Sequence, residues 1–273
     1  MATPIFLAIH GACGRMGQRL IALSLEHPEL ELVAAIDSPT SDKLGHDAGE
    51  VAGVGKLGIA IASELAISTQ VDVVVDFSVP EATMPLLKLC ADRKIPLVIA
   101  TTGFSAEERR EIVSTSHDAA ILFSPSMSLV VNLLFELVKQ TASALDGKGF
   151  DVEIIERHHR FKKDSPSGTA AQFARIIQDE MNQTELRHGR EGIVGERPHA
   201  EIGIHAIRAG DNVGEHTILF SAIGESLELV HKGTSRDSYA RGALAGAIWI
   251  AGRPAGMYTM SDVLGLKNER SGG

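Results

Sequence analysis

Cysteine is nearly absent: Cys13 and Cys90 are the only two in 273 residues. That is too few for a disulfide framework or a cysteine zinc site, so a reducing cytoplasm is the expected compartment. No apolar run approaches membrane-spanning length, and no basic segment with a cleavage site precedes the first strand. Neither a membrane span nor a signal peptide is therefore expected. Net positive charge is lacking as well. With 26 Lys and Arg against 35 Asp and Glu the formal net charge is −9, and no basic stripe interleaves with the aromatics, which are only 4% of the chain. Nucleic acid is accordingly not expected as a partner. Internal repeats and low-complexity tracts are missing too.

What is present is a sequence 44% apolar, ordinary for a globular protein and long enough for one large domain or two modest ones. Ile5–His10 (IFLAIH) is a near-continuous apolar run that suits a central parallel strand buried on both faces. GACGRMG follows, with Gly11, Gly14 and Gly17, and then a helix carrying Leu20, Ile21, Leu23 and Leu25. Glycines between strand and helix let the backbone turn tightly and approach a pyrophosphate at the helix start. A second strand, Leu30–Ile36, ends at Asp37. There, about 20 residues after the glycines, a dinucleotide-binding unit places the acid that holds the adenosine ribose. The spacing is G-x-x-G-x-x-G rather than G-x-G-x-x-G, so a plain glycine-rich turn also fits the motif taken alone.

Strands and helices then alternate: strand Val71–Phe77, helix Pro80–Cys90, strand Ile95–Ala100, helix Ser105–Ser116 and strand Ala119–Phe123. Repeated units of this kind predict a Rossmann-like, doubly wound parallel sheet with right-handed crossovers. A long helix is predicted over Leu129–Leu145. The stretch Asn182–His199 is polar and reads as a long loop, one that could reach a neighbouring subunit. Three alternating strands follow, Ala200–Arg208, Glu215–Ile223 and Leu227–His231. With Asp151–Glu156 they predict an α+β part built on an open mixed sheet, largely antiparallel. A last helix runs over Asp237–Ala251.

The densest chemistry lies in Asp151–Ala170, DVEIIERHHRFKKDSPSGTA. Phe150, Val152 and Ile154 fall on one strand face, and then the apolar pattern gives way to His158, His159, Arg160, Lys162 and Lys163. Ser165-Pro166 reads as a helix cap with proline at the first helical position. Ser167, Gly168 and Thr169 would then sit in the first turn, where unpaired backbone N–H groups form an anion site. Histidine, lysine and a helix start together point to a carboxylate-bearing substrate that needs a proton. Taken singly, each feature is also what a solvated basic loop ahead of an ordinary helix would show. His27, His205, His216 and His231 read as structural histidines. The neighbours His158 and His159 diverge on an extended backbone, so no metal is expected.

The string EIIERH, followed three residues later by KKDSPSGTA, resembles the signature of the dihydrodipicolinate reductase family. It matches at Glu153, Ile154, Glu156, His158, Lys162, Asp164 and Pro166 through Ala170. The loop GRMG at Gly14–Gly17 is similar to that family's nucleotide loop, and Ala100-Thr101-Thr102-Gly103 to its G-T-T-G-F loop, with Ala100 at the first glycine. In the segment the family writes S-P-N-x-S-x-G-x-N, this chain has Ser126 and Val130 at the first asparagine and the glycine, while Asn132 matches the second asparagine. The resemblance implies reduction of a cyclic imine dicarboxylate, 4-hydroxy-tetrahydrodipicolinate, to tetrahydrodipicolinate in lysine and diaminopimelate biosynthesis. His158 would donate the proton, Lys162 would supply charge beside the substrate, and His159, Ser167, Gly168 and Thr169 would hold its carboxylates. NADH or NADPH would lie against Gly11, Ala12, Cys13, Gly14, Arg15 and Met16, with Asp37 on the ribose. Further contacts would come from Phe77, Ala100, Thr101 and Thr102, and from Ser124, Ser126 and Met127. Neither Ser38 nor Val79 is cationic, so NADH is expected to serve at least as well as NADPH. The resemblance also implies a homotetramer, a nucleotide domain of residues 1–127 and 237–273, and a substrate domain of residues 128–236. Two other readings stay open: a different two-domain Rossmann dehydrogenase acting on an amino or keto acid, and a catalytically silent nucleotide sensor.

Overall fold

The computed structural model describes residues 3–266, and the chain divides into two compact units. One comprises Met1–Leu129 with Asp237–Gly273, the other Val130–Arg236. The chain begins with β1 (Ile5–His10), α1 (Arg15–Ser24), β2 (Leu30–Ile36), α2 (Ala48–Ala52), β3 (Ile61–Ala62) and β4 (Val73–Asp76). It continues through α3 (Pro80–Arg93), β5 (Leu97–Ile99), α4 (Ala106–Thr115), β6 (Ala120–Phe123) and α5 (Leu129–Leu145). Next come β7 (Asp151–His158), α6 (Gly168–Glu180), β8 (Glu185–His188), β9 (Glu201–Arg208), β10 (Gly214–Ala222) and β11 (Glu225–Gly233). The described chain closes with α7 (Asp237–Ile250), β12 (Gly256–Tyr258) and α8 (Met260–Val263).

In the first unit seven strands lie in the order β12-β6-β5-β4-β1-β2-β3, and every pairing is parallel. This is a doubly wound sheet whose strand order reverses between β1 and β4. Burial on both faces explains why β1 reads as an unbroken apolar run. Leu7 and Ile9 join a core with Leu20, Ile21 and Leu23 of α1 and Ala243, Leu244 and Ala247 of α7. Ala8, between them, faces the other side and packs with Val74, Leu86, Leu87 and Ile112. Helix α4 starts at a reciprocal cap: the Ser105 hydroxyl accepts from Glu108 N, and the Glu108 carboxylate accepts from Ser105 N. Such a cap contributes on the order of 1 kcal/mol. Helix α7 can approach closely because Gly242 has no side chain; a Cβ there would lie 1.8 Å from the Met127 carbonyl oxygen.

The second unit holds five strands in the order β11-β10-β7-β9-β8. Its sheet is mixed in equal parts rather than largely antiparallel: β7 pairs with β10, and β10 with β11, antiparallel, whereas β7–β9 and β8–β9 are parallel. Helices α5 and α6 cover one face. Leu134, Val138 and Ala142 of the first, with Phe173, Ala174 and Ile177 of the second, bury Val152, Ile154, Ile204, Ile218 and Phe220. Each large apolar side chain so buried stabilises the unit by roughly 1.5–3 kcal/mol.

Two local expectations need correction. Helix α6 is capped by Ser167, not Ser165: the Ser167 hydroxyl accepts from Ala170 N at 3.1 Å, while Ser165–Pro166 is a cis peptide ahead of the helix. Two serines flank one proline, and the serine whose oxygen reaches the N–H three residues on becomes the cap. The polar stretch Asn182–His199 is also not all loop, since it contains β8. Every residue of β8 is exposed, so no apolar alternation marks it. Two arginines fold the rest of this excursion onto its own sheet: Arg190 and Arg197 both bind the Glu153 carboxylate. Gly203 leaves the room that this carboxylate occupies, since a Cβ there would lie 1.9 Å from Glu153 Oε2.

Candidate active site

In the first unit the glycine loop joins β1 to α1 at the reversal of strand order, where open parallel sheets bind ligands. The three glycines do different work. Gly11 takes φ +79°, and a Cβ there would meet the Phe77 carbonyl oxygen at 2.4 Å. A Cβ on Gly17 would lie 2.1 Å from the Gly11 carbonyl oxygen, so this glycine sets how closely α1 packs on β1. Gly14 is the residue before α1 and no side chain caps that helix start, which leaves its N–H groups to a ligand. Asp37 is held at the loop: its carboxylate accepts from Cys13 N at 2.7 Å and from Ser38 N at 2.8 Å. Beside it lies a cavity of about 820 Å³ whose wall includes Gly11, Gly14, Asp37, Phe77, Val79 and Pro85. Its size falls within the range of small-molecule and cofactor sites. The glycine loop, the acid at the end of β2 and this cavity fit the adenosine half of a dinucleotide.

Not every expected nucleotide residue lines that cavity. Ala12 and Met127 are buried in the core, and Cys13 of the loop and Arg15 and Met16 at the start of α1 lie outside the cavity wall. Thr101 is buried and its hydroxyl is engaged within the unit. Its hydroxyl donates to Asp76 Oδ2 at 2.8 Å and accepts from Ser78 N at 2.9 Å. Ala100 is half-buried beside it and Thr102 is exposed. The Ser124 hydroxyl accepts from Met260 N at 2.7 Å, and the Ser126 hydroxyl from Ser128 N at 3.2 Å. Asp76, which the sequence did not single out, is fully buried and gathers four donors. They are His10 Nδ1, the Ser78 and Thr83 hydroxyls, and Thr101.

In the second unit β7 carries the reactive cluster. Its alternation continues past Ile154, so Glu156 and His158 point into the same face as Val152 and Ile154. Glu156 is fully buried. Its Oε2 lies 2.6 Å from His158 Nδ1 and its Oε1 accepts from Ser167 N at 2.9 Å. Arg208 grips both oxygens, at 2.7 Å each. Burial pushes the Glu156 carboxyl up, but the bonds from His158, Arg208 and Ser167 outweigh it and hold the group down at about 2. The Ser167 N–H is therefore taken by Glu156, and Gly168 and Thr169 N–H remain at the start of α6. Packing crowds His158 on a second side: a Cβ on Gly214 would meet its Nε2 at 3.0 Å. His216 lies 5.4 Å from the His158 ring and contacts the Ser167 hydroxyl through Nε2 at 3.1 Å. Burial, helped by the nearby His158 and His231, pushes His216 down to about 3, so it is neutral. Lys162 reaches Asp164 at 2.9 Å. His159 is half-buried with its Nδ1 unpartnered among the described residues.

The sequence brought forward His158, Lys162 and the helix start but gave no site role to Glu156, Arg208 or His216. Glu156 was visible in principle, as a charge at an inward position of an alternating strand. Arg208 and His216 reach the site only through the pairing of β9 and β10 with β7. Among the described residues no group of three or more His, Cys, Asp or Glu is placed to hold a metal ion.

Residues 5–127 match the family described as dihydrodipicolinate reductase, N-terminus, and residues 130–264 its C-terminus. The chain is similar to proteins named 4-hydroxy-tetrahydrodipicolinate reductase. That of Hahella chejuensis is 46% identical over 265 residues, 96% of this chain and 99% of that protein. That of Methanopyrus kandleri is 47% identical over 95% of this chain and 96% of its own length. Among solved structures, the dipicolinate-bound dihydrodipicolinate reductase from Paenisporosarcina sp. TG-14 superposes with a TM-score of 0.75. The match has 24% identity and covers 94% of this chain and 98% of that one. An amine dehydrogenase from Mycobacterium smegmatis shares the fold at a TM-score of 0.59 and 13% identity, over 94% and 95% of the two chains. With both halves matched and relatives at this identity over nearly its whole length, the chain belongs to the dihydrodipicolinate reductase family.

Proposed function

We propose that this chain reduces 4-hydroxy-tetrahydrodipicolinate to tetrahydrodipicolinate, a step of lysine and diaminopimelate biosynthesis, in the cytoplasm. One observation carries the reading: a single buried carboxylate, Glu156, ties the imidazole of His158 to the start of α6. A proton donor and an anion-binding helix end are thereby held at a set distance, as a substrate with carboxylates and a proton to receive requires. A bound nicotinamide supplies the hydride. The 4-hydroxy substrate first loses its hydroxyl and a ring hydrogen as water, which leaves a conjugated C=C–C=N system; hydride addition at one end displaces an electron pair onto the other, and His158 delivers the proton that takes it up. Gly168 and Thr169 N–H hold one carboxylate and His159 the other. Lys162, whose partner Asp164 is exposed and exchangeable, places its charge beside the substrate. The test is loss of reduced-nicotinamide absorbance on adding the enzymatically generated pathway intermediate. Oxidation that proceeds equally well without the intermediate would sink the reading.

For the cofactor, NADH should serve at least as well as NADPH. The cavity wall carries Asp37, Glu64 and Glu81 but no Lys or Arg, so a 2′-phosphate would face acidic groups. One missing charged contact is worth about 1.5–3 kcal/mol, roughly ten- to a hundredfold in affinity. Ser38→Arg should move the kcat/KM ratio towards NADPH when both cofactors are compared at one ionic strength. A strong NADPH preference in the unaltered chain would instead assign the phosphate to Arg15 or Lys43.

The expected assembly is a homotetramer packed through the sheet face opposite α5 and α6. That face carries Ile155, Leu219, Ile207 and Val230, the last two exposed. Light scattering at micromolar concentration should give four times the chain mass; a monomer there would rule the assembly out.

A further inference from the structure

The Glu156 carboxylate does more than join strands. It meets Nδ1 of His158 on one oxygen and the Ser167 N–H on the other, while Arg208 donates to both. Arg208 is itself steered, since Nη2 also donates to the Asp164 carbonyl and Nη1 to the Ile207 carbonyl, each at 2.8 Å. The strand pairing makes this grip possible, because β7 and β9 run in register with His158 opposite Arg208. Glu156, two residues back on the same inward face, then lies within reach of both. A carboxylate gripped by so many donors is ionised and accepts only. The nitrogen facing it must therefore carry a hydrogen.

We infer that Glu156, clamped by Arg208, is a positioning residue for His158: it fixes the proton on Nδ1 and leaves Nε2 as the nitrogen that gives the substrate its proton. The inference rests on the reading of His158 as proton donor. In the reacting state both ring nitrogens carry hydrogen. The Nε2–H bond breaks as the new bond to the substrate forms, the electron pair coming from the hydride addition, and the imidazole is left neutral with hydrogen on Nδ1. Glu156 stays ionised throughout and takes no proton.

A purely structural role would also bury Glu156, and the tautomer separates the two. In the full chain labelled with 15N-histidine, His158 is assigned by its disappearance in His158→Gln. On the alkaline side of its titration, unaltered His158 should show hydrogen on Nδ1; hydrogen on Nε2 would overturn the inference without any change at Glu156. In Glu156→Gln only one acceptor oxygen remains. Arg208 and Ser167 hold it, and the amide turned towards His158 drives the hydrogen to Nε2. The expected kcat falls by about 10²-fold or more, as for other wrong-tautomer imidazoles, while KM for substrate and cofactor changes less than about threefold. Glu156→Asp retains an acceptor, so it should keep the Nδ1 hydrogen and recover part of kcat. An unchanged tautomer in Glu156→Gln, or a parallel loss in kcat and KM, would leave Glu156 a structural group only. Near-normal kcat in His158→Gln would defeat the donor assignment, whatever the tautomer spectrum shows.

Discussion

His158→Gln lowers kcat by roughly 10²–10⁴-fold, the usual worth of one general acid, and leaves cofactor affinity unchanged. Glutamine has similar reach and can still hydrogen-bond, but it has no proton to give at neutral pH. The ring it replaces is 7% exposed, so solvent has little access to replace it as donor. Loss of the imidazole removes one of the donors around Glu156, yet Arg208 and Ser167 continue to satisfy both oxygens. The fold should therefore persist, and the loss reads as chemistry rather than stability. Lys162→Met behaves differently, raising the substrate KM as well as lowering kcat, because it withdraws a charge from beside a dianion. Steady-state kinetics with substrate and cofactor varied in turn check both. A His158→Gln enzyme turning over at close to the unaltered rate would mean that the proton comes from elsewhere.

Asp76→Ala destabilises the protein by about 3–5 kcal/mol, the cost of removing one member of a buried polar network. Asp76 is fully buried at the end of β4. Without it the His10 imidazole and the Thr101 hydroxyl lose their acceptor, whereas Ser78 and Thr83 keep alternatives at the Val79 carbonyl. A loss of that size lowers Tm by roughly 6–20 °C for a protein of this size class. In urea the midpoint should fall while the slope is kept. The same residue anchors Ser78 and Thr101, so the loops after β4 and β5 should loosen and the cofactor KM rise. A midpoint within error of the unaltered protein would show that the network contributes nothing to stability.

Much of both units is legible in the sequence itself. Ile5–His10, Leu30–Ile36 and Leu129–Leu145 have the ends read from the sequence, because glycine, proline and the switch of apolar period punctuate them. Strand β3 has two residues and β12 three, too few for a period to show. β8 has four residues but buries none, and alternation is a record of burial. The cap of α6 was misplaced for a local reason, since Ser165 and Ser167 have the same hydroxyl and only one lies within reach of the helix.

The sequence by itself determined the doubly wound class, the glycine loop with its acid, and the contiguous run from His158 to Thr169, because each is written within a few residues of chain. Tertiary structure alone decided what holds that run in working order. Arg208 and His216 lie on strands about 50 and 60 residues further along. They meet Glu156, His158 and Ser167 only because β9 pairs parallel and β10 antiparallel with β7 in one particular register. A period of two tells which face a side chain takes, but strand order and register are set by the packing of α5 and α6 over the whole sheet.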